Sequence, residues 1–152
     1  MANKFQLKIE YEDHVVSEQL GKNKYARLGT AFGELIANSL DAKATRITVN
    51  TTENAMGSVE TVTISDNGTG ITPTVLNERF KKVGVRPMSG HNRFGKFGLG
   101  RFAAYRIGNV SDWVSTSIED GKLVQVKFKM DSADPSNIDG EQSAIQNGET
   151  GT

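Results

Sequence analysis

The chain has 152 residues, no cysteine and a formal net charge of zero. That length is enough for one domain with its own core. The missing cysteine excludes disulfides, thiolate metal sites and a cysteine nucleophile, and the balanced charge argues against a broad electrostatic grip on nucleic acid or an anionic membrane. The opening Met-Ala-Asn-Lys-Phe-Gln lacks the apolar run of a signal peptide or membrane span. The expectation is a soluble, cytoplasmic protein with no membrane partner and no nucleic-acid partner indicated for this domain. Most of the glycine falls in two short clusters rather than being spread as in a linker, and there is no internal repeat.

In chain order, Phe5, Leu7, Ile9 and Tyr11 alternate with polar residues and predict a short edge strand. A helical pattern follows from about Asn23 to Asp41. On it Leu28, Phe32, Leu35, Ile36 and Leu40 form the side expected to pack on the core, and Glu34, Asn38 and Asp41 lie on one stripe of the other side. Gly29 and Gly33, one turn apart, suggest either close approach of another backbone or plain tolerance. Ile47 and Val49 mark a strand, and a second from Val59 to Ser65 is expected to pair with it. Thr72 and Pro73 read as N-cap and first position of a helix whose Val75, Leu76 and Phe80 face inward and which Gly84 stops. Residues 84–93 read as a loop, with His91 solvated. A helical pattern through Leu99, Phe102, Ala103 and Ile107 ends at Gly108-Asn109. Two strands, Val110 to Ile118 and Leu123 to Met130, flank the hairpin signal Glu119-Asp120-Gly121-Lys122, and Trp113 is expected to cover one sheet face. Residues 131–150 are polar and read as a loop or frayed segment.

Three stretches carry chemistry. Glu34 and Asn38 put a carboxylate and a carboxamide one turn apart, a pairing suited to activating a water beside a hard, oxygen-seeking cation. The small neighbours Ala31, Ala37 and Ala42 leave room for a ligand, although an ordinary wet helix face has the same polarity. Asp66 follows a strand directly and precedes Gly68 and Gly70. It is either a turn residue, since Asp-Asn-Gly is good turn chemistry, or a carboxylate that accepts from an exocyclic amine while the glycines let a flat ring approach the backbone. Gly95-Lys96-Phe97-Gly98-Leu99-Gly100 opens a helix, where free N–H groups and the positive dipole end suit phosphate. It matches neither the P-loop nor the dinucleotide fingerprint.

Taken together and in this order, the helix acid and amide, Asp-x-Gly-x-Gly and Gly-x-x-Gly-x-Gly resemble the GHKL (Bergerat-fold) ATPases. These include gyrase-type topoisomerases, ninety-kilodalton heat-shock chaperones, histidine kinases and mismatch-repair ATPases. Glu34-Leu-Ile-Ala-Asn38-Ser-Leu-Asp41-Ala is most similar to the mismatch-repair form, and Phe94-Gly-Lys-Phe-Gly-Leu-Gly-Arg-Phe-Ala-Ala-Tyr105 to the chaperone form. The likeness is close from about Phe32 to Gly108.

The resemblance implies an α/β two-layer sandwich, a mixed and mostly antiparallel sheet with helices on one face, that binds ATP or ADP with Mg2+ in a single domain. It implies Glu34 as general base, Asn38 as Mg2+ ligand, and Asp41, Asp66, Gly68 and Gly70 around adenine. Gly95, Lys96, Phe97, Gly98, Leu99 and Gly100 would hold the phosphates, beneath a lid formed by residues 84–93. Glu34 argues for hydrolysis, because histidine kinases lack that acid. Family members complete the site with a basic residue from a following domain and dimerise with ATP, so the chain is expected to be an N-terminal fragment of a longer protein. Gly151-Thr152 is similar to the family's Gly-Thr pair, whose threonine hydrogen-bonds near adenine. The expected function is Mg2+-dependent ATP hydrolysis that drives conformational change or dimerisation; the alternative is a nucleotide switch with little turnover.

Overall fold

A computed structural model describes residues 1–11, 28–83 and 100–152. Its largest sheet has four strands, in the order β1 (Asn3–Lys8), β8 (Asn137–Ala144), β7 (Lys122–Asp131) and β6 (Val110–Glu119), all antiparallel. β3 (Ile47–Glu53) and β4 (Val59–Asp66) form a separate antiparallel pair. Two short strands, β2 (Glu10–Tyr11) and β5 (Lys82–Val83), pair in parallel. The helices are α1 (Leu28–Asp41), α2 (Pro73–Val75), which continues as a π-helical turn over Leu76–Phe80, and α3 (Ala104–Ile107), preceded by a 3-10 turn over Gly100–Ala103. This is the mixed α/β arrangement expected from the sequence.

The hairpin from β6 to β7 follows its turn residues. Asp120 and Gly121 have φ of 50° and 73°, the left-handed pair that a two-residue turn needs to match the strand twist. Inward-facing Val126, Phe128 and Met130 alternate along β7 and join Leu7, Ile9 and Ile138 in the core. Leu76 and Phe102 close it from the helical side. Trp113 does cover the sheet: its ring stacks on Phe128 at 5.5 Å, and Phe80 meets Phe128 edge-on at 5.4 Å. Thr72 caps α2 by accepting the Val75 N–H at 3.1 Å, with Pro73 at the first helical position. That helix leaves the α form at Leu76 and ends at Phe80, ahead of β5 and not at Gly84 as expected.

Two expectations need correction. The polar stretch 131–150 holds β8, which lies between β1 and β7 with Ile138 fully buried. Ile138 is the one large apolar side chain within β8, so its place is set by backbone pairing on both sides rather than by its own pattern. Gly140 makes that fit possible: an added Cβ would sit 2.9 Å from Phe128 Cβ and strike the Lys127 carbonyl and the Phe5 ring. The second correction concerns α1. Leu28 and Leu40 are exposed and Phe32, Leu35 and Ile36 only half-buried, whereas its buried positions are Ala31 and Ser39, on the small-residue side. Close packing governs that side, because α1 lies against the 3-10 turn and α3. Among the described residues, nothing lies within 4 Å of a Cβ added at Gly29 or Gly33. The parallel pair β2–β5 carries no sequence signal long enough to detect. The helical pattern before Leu28 and the loop of residues 84–93, with His91, lie outside the described residues.

Candidate functional site

α1 ends in a way that fixes Ser39. Lys43 takes a left-handed φ of 59°, its N–H reaches Leu40 O at 2.9 Å, and the Ala44 N–H reaches back to Ser39 O at 3.0 Å. This closing motif satisfies the last helical carbonyls and stops the helix sharply. The chain from Ala42 to Arg46 is then stapled to the end of β4 by Asn67. Its Oδ1 accepts the N–H groups of Thr45 (3.0 Å) and Arg46 (2.8 Å), and its Nδ2 donates to Thr45 Oγ1 at 2.9 Å.

The Asp66 carboxylate sits at this junction. Ser39 Oγ donates to Oδ2 at 2.9 Å and the Gly68 N–H to Oδ1 at 2.8 Å. Asp66 is therefore a turn residue, as its Asp-Asn-Gly context suggests, and is also held by the helix that carries Glu34 and Asn38. A carboxylate has about four acceptor positions, so two stay open after these bonds. Gly68 is buried against α1: a Cβ there would lie 2.7 Å from Ala42 O. Gly70 has a φ of 70°, and a Cβ on it would strike the Thr116 carbonyl of β6. These two glycines bring the Asp66–Ile71 backbone flat between α1 and β6.

Gly100 forms the opposite side. An added Cβ would sit 3.1 Å from Asn38 Oδ1 and 3.3 Å from Glu34 Oε2. The last glycine of the second cluster thus faces the acid and amide of α1, which are the residues that the spacing put on one stripe. Asp41 is half-buried at the end of the same helix. Gly95, Lys96, Phe97, Gly98 and Leu99 lie outside the described residues.

Thr152 lies beside Asp66. Its carbonyl accepts the Asp66 N–H at 2.7 Å, Gly151 bridges to Thr116 of β6, and its hydroxyl is 2.8 Å from Ser115 Oγ. Gly151-Thr152 therefore joins the edge of β4 to that of β6. Two residues at this site went unnoticed in the sequence, Ser39 and Ser115. Each hydroxyl holds a group at least 27 positions away, which no local pattern reveals. An open cavity of about 190 Å³ is bounded by Arg46, Thr48, Ser65, Asp66, Asn67 and residues 149–152.

The donor set can be tested against Mg2+. Glu34 and Asn38 offer hard oxygen atoms on the side of α1 that faces Gly100, and hard oxygen is this cation's preference. No group of three or more His, Cys, Asp or Glu side chains forms a metal site among the described residues. One or two protein oxygens are what Mg2+ takes when phosphate and water supply the rest. The donor chemistry of Glu34 and Asn38 fits such a cation.

Residues 25–149 match the family described as histidine kinase-, DNA gyrase B- and HSP90-like ATPases. The match spans most of the chain, and the chain belongs to this family of ATP-binding domains. It is also 26% identical over 100 residues to a putative type II restriction enzyme, HgiDII, of Herpetosiphon aurantiacus, a match covering 61% of this chain and 15% of that protein. No helix among the described residues is long and apolar enough to cross a membrane.

Proposed function

We propose that this chain binds ATP with Mg2+ through the α1–Asp66–Gly100 site and hydrolyses it. The observation that carries the reading is the convergence of Glu34 and Asn38 on Gly100, on the helix whose Ser39 holds Asp66. One rigid element thereby spans the base end and the phosphate end of a nucleotide. The Asp66 carboxylate takes the adenine amino group, Gly68 and Gly70 floor the ring, and Asp41 supports it. Asn38 would hold Mg2+, which would neutralise phosphate charge when bound. Glu34 accepts a proton from water as the water oxygen bonds to the γ-phosphorus; the bond to the bridging oxygen breaks, and ADP and inorganic phosphate leave. By the family resemblance, residues 95–100 would hold the phosphates, with Lys96 adding charge; of these only Gly100 is among the described residues.

In a longer protein, hydrolysis would drive conformational change or ATP-dependent dimerisation, with a basic residue from a following domain completing the site. The likeness to a putative restriction enzyme extends the reading to a DNA-processing assembly. Calorimetric titration with ATP, with and without Mg2+, tests the reading. Binding that strengthens with Mg2+ in the wild type, and loses that gain in Asn38→Ala, is expected. No heat of binding under either condition would overturn it.

A further inference from the structure

We propose that Arg101 is a positioning residue for hydrolysis: its side chain holds the Gly100 backbone at its working distance from Glu34 and Asn38. This rests on the reading that those two side chains serve the phosphate end of a bound nucleotide.

Arg101 is 5% exposed and belongs to the 3-10 turn Gly100–Ala103, all four residues of which are buried. Burying a guanidinium is unfavourable, and an apolar side chain of similar length would fill the same space without that penalty. The charge is therefore explained by what it holds. Its Nη2 donates to Phe80 O at 2.9 Å, and its Cζ lies 4.7 Å from the ring centres of both Phe80 and Phe102. A planar cation set over two phenyl rings, with a directed hydrogen bond at its end, has little freedom to turn.

Phe80 is itself anchored. It ends the π-helical turn Leu76–Phe80, and the last carbonyls of a helix have no partner within it and favour a cation. Its ring meets Phe128 edge-on at 5.4 Å and Trp113 at 6.2 Å, which fixes it to the four-stranded sheet. Arg101 thus ties the 3-10 turn to the sheet core.

Gly100, the next residue back, faces a different partner. Successive residues of a 3-10 helix project about 120° apart. While the Arg101 side chain reaches Phe80, the α-carbon of Gly100 is turned to α1, where a Cβ would stand 3.1 Å from Asn38 Oδ1 and 3.3 Å from Glu34 Oε2. Gly100 has no side chain with which to set that spacing, and Arg101 sets it from the other side. Without the anchor the turn can withdraw from α1, and displacements of well under about 1 Å already slow a reaction that depends on alignment. The base end does not run through Arg101, because Asp66 is held by Ser39 and by the Gly68 N–H of its own turn. Turnover should therefore change while the hold on the base does not.

The test measures steady-state phosphate release and ADP affinity in wild type, Arg101→Met, Arg101→Lys, Gly100→Ala and the double variant Arg101→Met/Gly100→Ala, at a temperature where each is folded. Arg101→Met fills the space but cannot donate, and its kcat is expected to fall about tenfold, with ADP affinity within about twofold of wild type. Arg101→Lys keeps the charge and a donor but not the planar group, and should recover only to about threefold below wild type. The double variant should be no slower than Arg101→Met, because a turn free to withdraw makes room for the added Cβ. An arginine that only supports the fold would lower the melting temperature and leave kcat unchanged below it. That result overturns the proposal, as does a loss of ADP affinity in parallel with kcat, or a double variant in which the two losses multiply. Should Arg101→Met fail to fold, Arg101→Lys decides, and a wild-type kcat there overturns the proposal. If Glu34→Gln abolishes turnover while Arg101→Met turns over as wild type does, the role of Arg101 alone falls. If wild type shows no turnover, or Glu34→Gln does not reduce it, the hydrolytic reading falls and this proposal with it.

Discussion

Replacing Gly100 with alanine should separate stability from activity. Gly100 begins the 3-10 turn and is not among the positive-φ residues, so an alanine fits its backbone. At such a position Gly→Ala gains about 0.4–1 kcal/mol by restricting the unfolded chain. The new Cβ would lie 3.1 Å from Asn38 Oδ1, 3.2 Å from Asn38 Nδ2 and 3.3 Å from Glu34 Oε2. Ordinary contacts begin at about 3.5 Å, so these side chains must withdraw by about 0.2–0.4 Å. Both are long enough to do so at little cost, and stability should stay within about 1 kcal/mol of wild type. Catalysis is less forgiving: a misplacement of about 1 Å costs on the order of a hundredfold, so a few tenths should cost about three- to tenfold in kcat. Thermal unfolding and steady-state phosphate release measure the two quantities. Gly108→Ala is the control, since a Cβ there meets only Val110 O at an ordinary 3.6 Å. Wild-type turnover in Gly100→Ala would refute the idea that this glycine makes room for the Glu34–Asn38 pair.

Further substitutions probe the base end and the fold. Asp66→Asn keeps the size and turn propensity but loses the charged acceptor, and should weaken ATP binding by about ten- to a hundredfold with the melting temperature little changed. GTP should bind wild type poorly in the same titration, because its carbonyl would face the carboxylate. Gly140→Ala should cost about 3 kcal/mol or more, read by denaturant unfolding, because the Lys127 carbonyl it would strike belongs to a paired strand and cannot retreat. Arg101→Met should destabilise by about 1–3 kcal/mol in the same assay. The buried guanidinium donates to Phe80 O at 2.9 Å and lies 4.7 Å from the ring centres of both Phe80 and Phe102.

What could be read from the sequence was what local chemistry determines. The Glu34–Asn38 stripe, the Thr72-Pro73 cap and the Asp120-Gly121 turn each depend on residues within one turn of each other, and each is in place. β8 was hidden because a strand flanked on both sides can be polar; its neighbours supply the pairing and Ile138 alone supplies apolar burial. The buried side of α1 was misjudged for a related reason. The spacing identified two faces, but size rather than hydrophobicity decided which lies against the 3-10 turn and α3, and Ala31 and Ser39 are small. Ser39 stood in plain view beside Asn38, yet its role depends on Asp66 arriving from another strand. Ser115 likewise reads as an ordinary strand residue until Ile71 and Thr152 are brought to it.

The most direct test of the whole account is the rate of phosphate release at saturating ATP and Mg2+ by wild type and Glu34→Gln, with ATP affinity measured on the same preparations. Gln keeps the shape of Glu34 and cannot accept the proton. The account predicts a rate lower by about a hundredfold or more in the variant, with affinity unchanged. A wild-type rate no higher than that of Glu34→Gln, while both bind ATP, would contradict it and leave a nucleotide-binding domain without Glu34-dependent hydrolysis.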